Sequence, residues 1–416
     1  MKFSLLFLLL FPAVVSAQPG DSTLTLEVVE REALAHSPAL VASTSAAQAA
    51  LARAEAGGAW DDPELSFMVA PRTIGTNSPG YRVGVKQRIG AFGEPGARRL
   101  VAGTAFDVAA ADAEGARLDL LREVRVAFAE YLRASRALDA HRGLSDLAGE
   151  LRRAALAKYA AGAVEQADPL AASIEAARLT HHGVRADSER RIAIARLNTI
   201  IGRPASAPLP PPAGGMNDAA AASSDLDSLV RLARAERPES QAAISRVAWR
   251  AAGARVAQLS GRPGLMLGVA YDRMWEDPAM RPELELGIVL PLWGGAGARR
   301  SEAAAELAAA EAEQRALALR IEREVVEAAV RYDEAVHDLD VLDTGVLPIA
   351  TQGVSALRTA YEGNRASFQA LLEATRTLAE ARLDRIDAEA RSAVARADLA
   401  RALGTDAGLV PMGDMR

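Results

Sequence analysis

GEPGARR at 93–99 and GGAGARR at 294–300 are nearly the same phrase, written twice about two hundred residues apart. Each follows an alternating apolar stretch and opens a long alanine-rich one. A glycine-rich turn between strand and helix is either a phosphate cradle or a joint in a duplicated scaffold. Further landmarks keep the same offset. ALAHSPAL and ARAERPES place Pro38 and Pro238 200 residues apart, and Pro63 of WDDPELSFMVA is matched by Pro263 of SGRPGLMLGVA. KYAAG and AYEGN place Tyr159 and Tyr361 202 apart, as LNTIIG and LARALG place Gly202 and Gly404. Register kept over five landmarks is the mark of an internal duplication.

Each copy has one grammar. A helical segment (Leu26 to about Gly57 in the first) precedes two short alternating stretches, then a long helix, a break, and a shorter helix. The expected organisation is a first repeat over 18–202, a Pro/Gly/Ala-rich linker over 203–221, a second repeat over 222–404 and a tail over 405–416. GRPASAPLPPPAGG, 202–215, cannot continue a helix and reads as extended.

The strands carry a two-residue period. Tyr81, Val83, Val85 and Ile89 share one face, and Arg82, Lys86 and Arg88 the other. Leu284, Leu286, Ile288 and Leu290 oppose Glu283, Glu285 and Gly287. A half-buried sheet gives this pattern, but four strands amid several hundred helical residues have little to bury one face against. Four strands also cannot close a barrel. Copies from several subunits can, with apolar side chains on lipid and charged ones in a wet lumen. Trp60, Phe92 and Trp293 fall at one end of the strands, Tyr81 and Trp275 at the other, as aromatic girdles require.

The helices from about Pro95 to Tyr159 and from about Ala298 to Tyr361 span about 95 Å each at 1.5 Å per residue. Small residues, as in AAAELAAAEAE at 303–313, let neighbouring helices approach closely. The expected fold class is mainly α with a small β part: a long antiparallel helical sleeve carrying four strands per protomer.

Composition narrows the function classes. The 416 residues are 50% hydrophobic but only 4% aromatic, so alanine supplies much of the apolar count. A net charge of −6 and the lack of any dense Lys/Arg tract argue against nucleic acid. Lys2, the apolar run at 3–15 and the small residues Val15–Ala17 read as a cleaved signal peptide over 1–17, too short for an anchor. The chain has no cysteine, hence no disulfide and no lipidated N-terminal cysteine.

Catalytic patterns are missing. Arg300 stands where a dinucleotide loop needs its third glycine, and GEPG departs further. His36, His141, His181, His182 and His337 show no ligand spacing, and no G-x-S-x-G occurs. No catalytic residue, cofactor or metal is expected, and the joint reading prevails for Gly93, Gly96, Gly294 and Gly297. The breaks at Tyr159–Gly162 and Tyr361–Asn364 suit tight helix reversals. Glu165, Asp168 and Glu373 lie just past them, where a ring of subunits would collect them into acidic collars. Ordinary first-turn acids are the competing account for Glu165.

With the duplicated halves, two strands per half, DPEL before a strand, LPLWGG before a long helix and the Y-x-x-G tip phrase, the mature chain resembles the TolC family of outer-membrane factors. That resemblance implies a homotrimer whose twelve strands form one barrel in the outer membrane, continuous with a periplasmic α-barrel made by the long helices. It also implies tips that dock a periplasmic adaptor and open like an iris, and an inner-membrane pump of the RND type. Tyr159, Gly162, Tyr361, Asn364 and Arg365 then fall at the docking tips, and Glu165, Asp168 and Glu373 at the gate. Asp168 matches the family's gating aspartate, whereas Asn364 replaces a glycine, and Ala370 and Glu373 replace two aspartates usual in the constriction. Within the family, DPELSF and GARR look most like heavy-metal exporters. The expected function is an efflux duct for metal cations. The alternatives are a multidrug or type I secretion duct or, from another class, a periplasmic coiled-coil adaptor.

Overall fold

The computed structural model describes residues 23–70, 80–215, 225–273, 275, 277–278, 281–291, 295–363 and 365–406. The expected signal peptide, most of the tail, and Trp293, Gly294 and Asn364 lie outside the described residues.

The elements run in the same order twice. α1 (Leu26–His36) and α2 (Pro38–Ala56) precede β1 (Glu64–Ala70), β2 (Gly80–Gly90), α3 (Glu94–Ala160) and α4 (Ala167–Ile200). α5 (Leu226–Glu236) and α6 (Pro238–Leu259) precede β3 (Gly264–Asp272), β4 (Pro282–Val289), α7 (Gly295–Val341), α8 (Leu347–Glu362) and α9 (Phe368–Leu403). The leading helix expected to be continuous from Leu26 is broken at Ser37, whose ψ of 119° is extended. Proline disfavours helical geometry in the residue before it and donates no N–H, so Pro38 starts a new helix. Arg237 and Pro238 repeat the break.

The second long helix also departs from expectation. Between α7 and α8, Leu342–Val346 winds as a single π-helical turn. Pro348 follows in the first turn of α8 and has no N–H to continue the ladder. α3 has no such interruption and its 67 residues extend about 100 Å.

Side by side, the helices are ordered α4, α3, α9, α7. Their buried interior is alanine-rich, and its larger anchors come in pairs. Val29 and Ala33 in one cluster match Leu229 and Ala233 in the other; Val124 and Tyr131 match Val325 and Tyr332; Leu197 matches Leu399. The terminal caps match too. The N–H of Arg203 donates to Asn198 O at 2.8 Å and that of Thr405 to Ala400 O at 3.1 Å, each the long bond of a Schellman turn.

The described part of the linker, 203–215, turns once at Pro204–Ala207 and then runs without helix, and it is fastened. The Tyr131 hydroxyl donates to Pro210 O at 3.0 Å, Arg136 Nη2 to Gly214 O at 2.9 Å, and Leu24 pairs in parallel with Pro212. Buried Asn198 reaches the carbonyl of Ala207 at 2.7 Å.

Candidate functional site

The four strands form one antiparallel sheet in the order β1-β2-β3-β4. The register aligns Phe67 with Val83, Val83 with Tyr271, Val85 with Val269, Val269 with Leu284, and Leu267 with Leu286. One face is therefore apolar from edge to edge, and none of the described residues covers it: Leu284 is 81% exposed, Leu286 68% and Phe67 68%. The opposite face is ionic. Arg82 pairs with Glu283 at 2.8 Å and with Glu285, and Lys86 meets Glu285 at 2.9 Å. β1 and β4 pair on one side only, leaving two open edges. Trp60 and Phe92 lie at the helix end of the sheet, and Tyr81, Tyr271 and Trp275 at the hairpin end. Among the described residues no helix is long and apolar enough to cross a membrane.

The doubled glycine phrase sits where sheet becomes helix. Gly93 is left-handed at φ 88°, and a side chain there would meet open space, so the backbone angle alone asks for glycine. Gly96 and Gly297 lie in the first turns of α3 and α7, again facing open space. The arginines of the phrase clamp the preceding helices. Arg99 Nε donates to Gly57 O at 3.2 Å, at the end of α2, and Arg299 Nε to Ser260 Oγ at 3.2 Å, at the end of α6. Arg98 holds Glu94 at 2.5 Å and Asp61 at 3.4 Å. A cation at a helix C-terminus opposes the partial negative charge of its carbonyls. The phrase thus closes joints.

At the far end of the stalk, α3 turns into α4 and α8 into α9. Gly162 is left-handed at φ 69°. The N–H of Ala163 donates to Lys158 O at 2.9 Å, and Arg365 N–H to Ala360 O at 2.7 Å, so both tips use the same cap. The two tyrosines of the tip phrase part company: Tyr159 is exposed, whereas Tyr361 is buried. Tyr361 stacks edge-on against Phe368, with ring centroids 5.7 Å apart. Lys158 Nζ lies 4.0 Å above its ring and donates to its carbonyl at 2.6 Å. Burial, then the negative charge of Asp168, pushes the Tyr361 phenol above its ordinary value.

Asp168 is half-buried in the first turn of α4 beside this cluster, while Glu165, Arg365 and Glu373 are exposed. Arg376 ties the hairpins together, reaching Glu175 at 2.6 Å and Glu373 at 3.9 Å. Lys158, Phe368 and Arg376 were not singled out from the sequence. Ser367 was the available signal: its side chain accepts from the Ala370 N–H and caps α9 immediately before Phe368.

Histidines supply one unexpected contact. His141 of α3 and His182 of α4 stack across the helix pair, while His36 pairs with Glu32 at 3.4 Å on the surface. Among the described residues no three His, Asp or Glu side chains are grouped to hold a metal ion.

Comparison with known proteins follows this geometry. Residues 29–203 match the family model described as outer membrane efflux protein. No curated protein matches the chain by sequence. Among solved structures, the outer membrane protein VceC of Vibrio cholerae superposes with a TM-score of 0.76 at 18% identity, over 91% of this chain and 96% of that one. CusC, whose structures describe transmembrane channel formation, gives 0.78 at 15% identity, over 91% and 92%. The open state of the MtrE outer membrane channel of Neisseria gonorrhoeae gives 0.77 at 18% identity, over 91% and 89%.

Proposed function

We propose that this chain, whose residues 29–203 match the family model described as outer membrane efflux protein, is a passive exit duct of that family. Three copies pair the open edges β1 and β4 in a ring, so that twelve strands close into one barrel in the outer membrane. The observation that carries this reading is the sheet, apolar across one exposed face and ionic across the other, with an unpaired strand at each side. An antiparallel sheet in a water-soluble module buries its apolar face against its own chain; here only lipid and neighbouring copies remain to cover it. Exposed Ile174 and Ile192 on α4 and Leu319 and Val330 on α7 give the two flanks of the stalk apolar surface for the same ring.

The stalk then reaches about 100 Å into the periplasm. Its tips, with Tyr159, Gly162, Tyr361 and Arg365, meet an adaptor protein that connects to an inner-membrane pump of the RND type. Glu165, Asp168 and Glu373, repeated three times, form the acidic collars of the gate. Such collars concentrate cations by field alone. With the metal-exporter look of DPELSF and GARR, they favour heavy-metal cations as cargo over drugs or secreted polypeptides.

Two experiments test this. Detergent-extracted protein should run as a trimer from the outer-membrane fraction; a monomer, or protein found only in the soluble periplasm, sinks the duct. A deletion strain grown on zinc, cobalt, cadmium, copper, silver, dyes and antibiotics should lose metal tolerance alone, restored by the gene. Sensitivity confined to drugs refutes the metal cargo and leaves the duct.

A further inference from the structure

His141 lies 19 residues before the end of α3, about 28 Å above the tip. There α3, α4 and α9 surround a cavity of about 370 Å³ whose titratable and charged lining is His141, Glu175, Arg178, His182, Arg376 and Glu380. The His141 and His182 rings stack across the α3–α4 contact with centroids 5.8 Å apart and planes 11° from parallel. His181 lies tilted against His182 at 6.2 Å. His141 Nδ1 is shielded from solvent and has no hydrogen-bond partner.

The charges around the pair are spoken for. Glu175 is bound by Arg376 at 2.6 Å. Glu189, the carboxylate that acts on His141 from α4, is drawn off by Arg133 at 3.4 Å and Arg185 at 3.3 Å. On α3, Arg142 pairs with Asp139 at 3.2 Å. Arg178 adds a positive charge from α4, and Glu380 is the acid that α9 brings to the cavity lining, where its charge acts on Arg376. Stacked rings with no carboxylate between them are compatible with neutral imidazoles and poorly arranged for two imidazolium ions.

We propose that the His141–His182 stack is an acid-sensitive joint of the stalk: neutral rings hold α3 against α4, and protonation of both drives the helices apart over the cavity. Burial, then the charge of His182, holds the His141 imidazole below its ordinary value. A depressed imidazole is protonated more readily in the parted helices, so the stack's contribution is intact above about pH 6.5 and is lost as pH falls below it. Two like charges this far apart in a half-exposed setting shift the packing equilibrium by about fivefold. The same level holds the π-helical turn. Arg385, two residues beyond the cavity-lining Leu383 of α9, grips Asp343 of that turn at 2.5 Å.

The consequence for conduction rests on the duct reading, but the joint itself does not, and its test needs no transport. The chain has no cysteine, so Gly143→Cys on α3 and Thr180→Cys on α4, both exposed, accept spin labels cleanly. Pulsed dipolar distances are measured on the full chain in detergent at pH 7.5 and 5.5, with and without His182→Gln. A longer-distance population about fivefold greater at pH 5.5, and clearly smaller in His182→Gln, where burial alone still depresses His141, is the expected result. A pH response as large in His182→Gln as in the wild type overturns the proposal; so does an unchanged distance in the wild type. Matching distances at pH 7.5 in both backgrounds verify that the variant folds. Imidazole NMR of the five histidines supplies the second reading: a His141 titration that is the same with and without His182→Gln would also refute the coupled pair.

Discussion

Leu286→Arg separates a lipid-facing sheet from a water-facing one more sharply than any core substitution. Leu286 is 68% exposed in the chain and pairs with Leu267, near the middle of β3 and β4. If this face met water, arginine would cost nearly nothing, because a surface substitution away from packing stays within about 0.5 kcal/mol. If it lies near the midplane of a bilayer, each arginine costs about 2–4 kcal/mol. Three copies in one barrel bring that to roughly 6–12 kcal/mol, comparable with the whole stability of a domain. The control is Met266→Lys on the opposite face, near Glu285, where a charge faces the ionic lining. Both variants are refolded into lipid vesicles from urea, and trimer is read as the heat-modifiable band on gels. Leu286→Arg should fail to assemble or shift its midpoint strongly to lower urea, and Met266→Lys should follow the wild type. Equal assembly of the two would refute the lipid face, and with it the barrel.

Three other perturbations probe the stalk. Burial alone would raise the Glu239 carboxyl, but Arg401, with help from Arg237, holds it down to about 2 from 4.5. The stabilisation is therefore full above pH 4.5 and lost as pH falls toward 2. Because the pair is partly solvated, Glu239→Gln should cost only about 1–2 kcal/mol at pH 7, with the gap to wild type closing in acid melts. Phe368→Ala empties the centre of the tip cluster and should cost about 3–5 kcal/mol locally, seen as faster hydrogen exchange at 365–372 with little change in the global melt. Gly93→Ala should destabilise by about 1 kcal/mol, although its side chain would meet no atom, because φ there is 88°. A neutral melt would show that the joint relaxes.

Periodicity revealed the parts of this fold whose physics is local. The alternation of Tyr81–Ile89 and Leu284–Leu290 depends only on strand pleat and sidedness, and the paired prolines, tyrosines and glycines exposed the duplication. The breaks at Ser37 and in Leu342–Val346 were missed for different reasons. Pro38 was in plain view, but the helical period on either side outweighed it. The π turn adds one residue to a winding that the apolar spacing of an alanine-rich helix barely constrains. Pairings across the fold were beyond reach: Lys158 meets Tyr361, and His141 meets His182, through helices whose register against each other is set only on packing.

That last failure bears on how the stalk works. Helices joined through alanine lose little when they slide, because no large side chain must leave a fitted hole, and the larger anchors gather in a few layers. Between those layers the register rests on arginine–carboxylate pairs such as Arg376–Glu175, Arg385–Asp343 and Arg122–Asp398. Partly exposed ion pairs contribute little to stability, yet they are directional and can re-form with the next acid along a helix. Arg385 already faces two partners, Asp343 inside the π turn at 2.5 Å and Glu389 one turn along its own helix at 3.3 Å. A stalk built this way can keep its length and straightness if its lower hairpins shift against one another, which is what the proposed duct, opening at its tips, would require.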